Sequence, residues 1–224
     1  MYNIAIDGPA GAGKSTIAKI VAKELGFIYV DTGAMYRTIA LACHREGISA
    51  KEHEKVAEKC ESVDVSLGYE DGTQKVYLNG EDVSTLIRQE EIGNMTSAIA
   101  VYPEVRKKLV EMQKKFAKEN NVVMDGRDIG TYVLPNAELK IFLTADVDER
   151  ARRRYKELIE KKAETNFESV REEILFRDKN DSERDFAPLK QADDAVLLDT
   201  TNMSIDEVIN KILSLVEEKC NDII

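Results

Sequence analysis

Residues 8–15 read Gly8-Pro9-Ala10-Gly11-Ala12-Gly13-Lys14-Ser15, a G-x-x-x-x-G-K-S run set between the apolar Ile4-Ala5-Ile6 and the helix-like residues 16–25. Strand, glycine loop and helix in that order direct successive backbone N–H groups inward around phosphate oxygens, because glycines allow angles and close approach that a Cβ obstructs. Lys14 can reach β and γ phosphates, and the Ser15 hydroxyl suits Mg2+. A turn that merely caps a helix explains neither Lys14-Ser15 nor the preceding strand. Gly8, Pro9, Ala10, Gly11, Ala12, Gly13, Lys14, Ser15 and Thr16 are therefore the candidate nucleotide-binding residues, and a nucleoside triphosphate is the first ligand expected.

Apolar runs at 3–7, 27–30, 122–124, 139–143 and 195–198 read as strands. They alternate with helical periodicity at 16–25, 36–46, 147–162 and 205–219, the last with Ser204 as N-cap and Glu207 completing a capping box. The fold class this predicts is α/β: a parallel-sheet core with helices on both faces. One segment breaks the rhythm. Val63, Val65 and Leu67 alternate with polar residues, Glu70-Asp71-Gly72 offers a turn, and Lys75-Val76-Tyr77-Leu78 runs into Asn79-Gly80. Residues 62–83 are thus expected to form a small antiparallel insert beside an acceptor site, with 1–61 and 84–224 as the core. Two charged helical patterns, 147–162 and 167–176, are the expected lid over the donor nucleotide.

With 224 residues and 43% hydrophobic content, one main domain is expected. A net charge of −10 argues against a nucleic-acid polymer as the main partner but leaves room for small phosphorylated ligands in a basic pocket. No window approaches the roughly 18 apolar residues of a membrane span, and no basic segment precedes a long apolar one, so a cytoplasmic protein without a membrane partner is expected. Cys43, Cys60 and Cys220 are odd in number and widely spaced, which argues against a disulfide framework or a zinc cluster.

Three polar constellations can carry chemistry. Asp125 follows Val122-Val123-Met124 and opens Asp125-Gly126-Arg127-Asp128. A carboxylate at the end of a central strand can face Mg2+, Arg127 can neutralise phosphoryl oxygens, and Asp128 can accept from an acceptor's amine or hydroxyl; an Asp-Gly turn with a surface ion pair fits the same letters. Asp31-Thr32-Gly33-Ala34-Met35-Tyr36-Arg37 ends the second strand. Asp31 can organise metal or water and Arg37 can grip a phosphate, or Thr32 caps the helix and Arg37 faces solvent. Arg177, Asp181 and Arg184 fall at i, i+4 and i+7 and share a helical face, either to hold a phosphate and a ribose hydroxyl or as a surface ion-pair ladder. Among Arg150, Arg153 and Arg154 the sequence singles out none.

These stretches, with Leu78-Asn79-Gly80-Glu81-Asp82-Val83, Tyr102-Pro103-Glu104-Val105-Arg106, Ile129-Gly130-Thr131 and Ala187-Pro188-Leu189, make the chain resemble the bacterial cytidylate kinases along nearly its whole length. The resemblance implies a P-loop nucleoside-monophosphate kinase core with an enlarged acceptor-binding insert, and transfer of a phosphoryl group from MgATP to CMP or dCMP. It implies Arg37, Arg127 and Arg184 around the CMP phosphate, Arg177 and Asp181 near the sugar, Ser97, Arg106 and Asp128 at the cytosine, and Thr32 among the substrate contacts. Lys14, Arg127 and Arg184 are then the expected catalytic residues, Ser15, Asp31 and Asp125 the expected Mg2+ organisers, and the protein is expected to be a monomer. Two other readings compete: a P-loop kinase for UMP, AMP or a small alcohol, and a nucleotide-dependent switch or partner-binding protein. The chain lacks the Asn-Lys-x-Asp guanine-reading segment that would favour a guanine-nucleotide switch.

Overall fold

The computed structural model describes residues 1–70 and 72–219. Asp71, at the centre of the expected Glu70-Asp71-Gly72 turn, and Cys220 lie outside the described residues. The chain forms two compact units, one of Met1–Tyr29 with Asn121–Ile224 and one of Val30–Asn120.

The first unit is built on the parallel sheet. Its strands are β1 (Asn3–Asp7), β2 (Ile28–Asp31), which runs across the unit boundary, β6 (Val122–Gly126), β7 (Leu139–Thr144) and β8 (Val196–Asp199), in the order β2-β6-β1-β7-β8. β1 lies parallel between β6 and β7, with Ile4 opposite both Val123 and Leu139. Ile4, Ala5 and Ile6 are fully buried, as are Val122, Val123 and Met124. Burial on both faces is why these strands read as unbroken apolar runs rather than alternating ones. α1 (Lys14–Leu25) and α8 (Ile205–Lys219) cover one face through Ile17, Val21, Val208, Ile212 and Val216. Gly26, at φ 65°, closes α1 by donating to the carbonyls of Ala22 and Lys23. At the start of α8 the capping box forms as expected: the Glu207 carboxylate accepts from Ser204 N–H (2.8 Å), and Ser204 Oγ accepts from Glu207 N–H (3.3 Å). α6 (Val147–Glu160) and α7 (Phe167–Glu183) pack on each other around Ala151, Val170 and Ile174.

The second unit carries the antiparallel sheet, a meander of β3 (Val65–Glu70), β4 (Thr73–Leu78) and β5 (Glu81–Asp82). Asn79 and Gly80, both at positive φ, form the two-residue turn between β4 and β5 that their sequence predicts. The sheet packs with α2 (Thr32–Arg45), α3 (His53–Ser62), α4 (Glu90–Ile99) and α5 (Pro103–Glu119) around Ile39, Val56, Val76, Leu78, Ile92 and Leu109. The expected insert, 62–83, thus covers the sheet, whereas the compact unit containing it runs from 30 to 120. α2 begins four residues before the expected position because Asp31, not Thr32, supplies the cap, accepting from Ala34 N–H (2.9 Å). Among the described residues no helix is long and apolar enough to cross a membrane.

Candidate functional site

The loop between β1 and α1 takes its shape from its neighbours. A Cβ on Gly8 would strike the backbone carbonyl oxygen of Leu143 in β7, so strand packing already requires glycine there. Gly13, at φ 86°, occupies the N-cap of α1 with no side-chain cap, leaving the first N–H groups of the helix as an anion-binding terminus. Lys14 is buried and folds back on its own loop, its Nζ donating to the Pro9 carbonyl (2.7 Å). Burial, reinforced by the charge of Arg127, pushes the Lys14 ammonium down to about 7 against the pull of Asp125, Asp181 and Asp7. A phosphate on the loop would restore the full charge.

Ser15 and Asp125 are in direct contact. Ser15 Oγ donates to one oxygen of Asp125 (2.8 Å), and the Tyr29 hydroxyl donates to the other (2.8 Å). A buried carboxylate beside a hydroxyl is an all-oxygen donor set of the kind Mg2+ accepts when phosphates and water complete its shell. Among the described residues no group of three or more His, Cys, Asp or Glu side chains forms a metal cluster.

Past β6 the acidic and basic residues are braced against one another. Arg127 Nε donates to Asp181 Oδ2 (2.8 Å). Arg184 Nη2 donates to Asp128 Oδ1 (3.0 Å), Nε donates to the Ala187 carbonyl (2.6 Å), and Nη1 lies 3.5 Å from Asp181 Oδ1. Arg177 contacts Glu173 at 3.5 Å; burial and the charge of Arg127 pull its guanidinium below the ordinary value. Burial alone would raise Asp181, but Arg127, Arg184 and Arg177 hold its carboxyl below the usual carboxylate range. The i, i+4, i+7 spacing puts all three of Arg177, Asp181 and Arg184 on one helix; instead α7 ends at Glu183 and Arg184 is extended, with ψ 140°. Arg184 meets Asp181 from outside the helix, and with Arg127 it makes Asp181 the centre of a basic cluster rather than a rung of a surface ladder.

Asp7 escapes a reading from motifs alone. It ends β1, is buried, and accepts from the N–H groups of Ile129 (2.8 Å) and Gly130 (2.7 Å), which open a single π-helical turn at Ile129–Val133. Asp7 thereby fixes the chain directly after Arg127 and Asp128. Burial pushes its carboxyl up to about 6 despite those two donors.

In the second unit, Asp31 Oδ2 accepts from Arg88 Nη2 (2.9 Å) while Oδ1 caps α2, so both oxygens have protein partners. Gln74 Oε1 accepts from Asp31 N–H (2.8 Å). Arg37 is half-buried on α2, Thr32 is buried in its first turn, and Ser97 on α4 reaches the Gly93 carbonyl at 3.4 Å. Arg106 on α5 is buried, donates to the Ala100 carbonyl (3.1 Å) and lies over the Tyr36 ring at 5.5 Å.

The arginines of α6 separate clearly. Arg153 bonds to the Thr200 carbonyl (2.7 Å), Arg154 to Glu157 (2.9 Å) and Arg152 to Glu149, whereas Arg150 turns to the phosphate loop.

The cytidylate kinase family model matches residues 4–218. A cytidylate kinase of Caldicellulosiruptor bescii is 52% identical over 213 residues, covering 95% of this chain and 94% of its own length. A cytidylate kinase of Bacillus subtilis (strain 168) is 52% identical over 217 residues, 97% of each chain. Among solved structures, a gluconokinase from Sinorhizobium meliloti 1021 aligns with TM-score 0.52 at 13% identity, covering 98% of this chain and 94% of that one, a likeness of fold alone. With its phosphate loop, its parallel core, and a family model and relatives that match nearly its whole length, the chain belongs to the cytidylate kinase family.

Proposed function

We propose that this protein transfers the γ-phosphoryl group of ATP to CMP, and on the same contacts to dCMP, giving ADP and the nucleoside diphosphate. The observation that carries this reading is the pairing, within one compact unit, of the Gly8-to-Ser15 loop with the basic cluster of Arg127, Arg177 and Arg184 around Asp181. Two polyanions meet in this reaction, and their repulsion has to be offset by fixed donors. The loop N–H groups and Lys14 take the donor's phosphates; Arg127 and Arg184 take the acceptor phosphate and the charge that spreads over the transferring group. An acceptor phosphate oxygen attacks the γ phosphorus in line, the bond to the bridging oxygen breaks, and ADP leaves with that electron pair. With its second pKa near ~6 the acceptor phosphate is already ionised, so no side chain has to remove a proton. Ser15 and Asp125 would hold Mg2+, which supplies charge neutralisation on the donor phosphates.

Asp128 is assigned to the cytosine amine, since a carboxylate accepts from an N–H2 group but opposes the carbonyl that uracil presents there. The family resemblance adds Arg177 and Asp181 for the sugar and Thr32, Arg37, Ser97 and Arg106 for the acceptor. The capping and Arg88 contacts of Asp31 support a role in holding α2 ahead of one on metal. A cytoplasmic monomer acting on diffusible nucleotides is the simplest setting for this chemistry. The test is a panel of acceptors with MgATP: CMP and dCMP should turn over fastest, Asp128→Asn should lower the CMP-over-UMP ratio of kcat/KM by about tenfold or more, and exclusive use of another acceptor would refute the reading.

A further inference from the structure

Ala10, in the middle of the phosphate loop, is held at both of its backbone polar groups. Its N–H donates to Asp178 Oδ1 on α7 (2.8 Å), and its carbonyl accepts from Arg150 Nη1 on α6 (2.8 Å). The same Nη1 reaches Asp178 Oδ2 (2.5 Å), and Arg150 Nε donates to the Ala145 carbonyl just past β7 (2.9 Å). The pair is largely withdrawn from solvent, with the two side chains 9% and 17% exposed. One residue further on, a Cβ at Gly11 would lie 3.0 Å from the backbone carbonyl oxygen of Arg150 and 3.2 Å from its Cβ, so α6 itself packs against the loop. Ala10 also joins the apolar cluster of Ala151, Val170 and Ile174.

These contacts fix the orientation of the peptide groups on either side of Ala10, and the N–H groups of Gly11 onward take their direction from it. A buried guanidinium and carboxylate that satisfy each other and a peptide leave a strongly disfavoured charge when either is removed. Among the described residues, the other arginines of α6 pair elsewhere: Arg152 with Glu149, Arg153 with Thr200 and Arg154 with Glu157.

We propose that Arg150 and Asp178 are positioning residues that clasp the phosphate loop in its anion-receiving shape, so that donor affinity depends on the α6–α7 pair. Neither side chain touches substrate; both act through Ala10. The inference rests on residues 8–16 being the ATP loop.

The test uses the full chain and three variants. Asp178→Asn keeps an acceptor for Ala10 N–H but loses the ion pair, Arg150→Lys keeps the charge but cannot span the Ala145, Ala10 and Asp178 oxygens, and the third combines them. The clasp predicts that KM for ATP, and Kd for a nonhydrolysable ATP analogue, rise about tenfold or more in each single variant while KM for CMP stays within about twofold. The double variant should be no worse than the worse single one, since both remove one device. An unchanged KM for ATP, a parallel rise for ATP and CMP together with a lower Tm, or strictly additive losses would each overturn it. Should Arg150→Lys fail to fold, Asp178→Asn alone carries the same criteria. A wild-type chain that binds the analogue but does not phosphorylate CMP would refute the proposed reaction, while the analogue titrations would still decide the clasp.

Discussion

Titrating the ligand-free protein with a nonhydrolysable ATP analogue and Mg2+ should draw a proton from solution at pH 8. Lys14 ordinarily ionises at 10.5, but burial and the charge of Arg127 bring it to about 7. At about 1.4 kcal/mol per factor of ten, carrying the charge at this buried position beside Arg127 costs on the order of 5 kcal/mol relative to water. A lysine of that kind is about half charged at pH 7 and about one-tenth charged at pH 8, whereas phosphate oxygens beside it would return it to full charge. Binding should therefore take up about 0.5 proton at pH 7 and about 0.9 at pH 8, falling toward zero near pH 6. Isothermal titration in two buffers of different ionisation enthalpy reads the number directly. Without ligand the sign is fixed as well: between about pH 7 and 10.5 the unfolded chain holds the proton that the folded one has lost, so this lysine's unfavourable contribution to stability fades as pH rises. Tight binding at pH 8 with no buffer dependence, or equal uptake by Lys14→Gln, would refute the argument.

Asp7→Asn tests the brace behind Arg127 and Asp128. Because the Asp7 carboxyl is raised from 3.8 to about 6, the folded protein holds its proton longer than the unfolded chain. Wild-type stability relative to the variant should thus fall by up to about 3 kcal/mol as pH rises from 4 to 7. Urea denaturation at several pH values measures that difference, and a constant one would dismiss the assignment. For the loop glycines, Gly13→Ala meets open space and should cost about 1–2 kcal/mol for its left-handed backbone. Gly8→Ala runs into the backbone of β7 and should cost at least about 2 kcal/mol more, read as a lower Tm. Equal losses would show that the approach of β7 does not select glycine at position 8.

Sequence legibility followed the physics of each element. The parallel strands are readable because burial on both faces leaves unbroken apolar runs, as at Val122-Val123-Met124, and the phosphate loop because its spacing follows from backbone geometry. α3 is far less readable, since only Val56 and Cys60 are buried along a charged segment. α5 carries a signal that can be recognised: Pro103 at its start and Val105, Leu109, Val110 and Ala117 on one buried face. α7 continues past Phe176, where apolar periodicity stops, and its last turns place Asp178 and Asp181 against arginines. Contacts of that kind lie outside any local pattern, which is why neither the role of Asp7 nor the choice of Arg150 among the α6 arginines can be read from spacing. The i, i+4, i+7 spacing aligns Arg177, Asp181 and Arg184 only on a helix that persists to Arg184, and the backbone leaves the helix one residue earlier.

The place of β1 has a consequence for how this chain comes into being. Both strands that flank it, β6 and β7, are encoded more than a hundred residues downstream, and all of the second unit lies between. During synthesis the segment bearing Lys14 is made before either, and its strand lacks the β6 ladder until translation has passed residue 126 and the β7 ladder until it has passed residue 142. Sheet pairing at such sequence separation is inherently slow. Nucleotide capture is in this way deferred until β6 and β7 have been made, although the residues of its loop precede both.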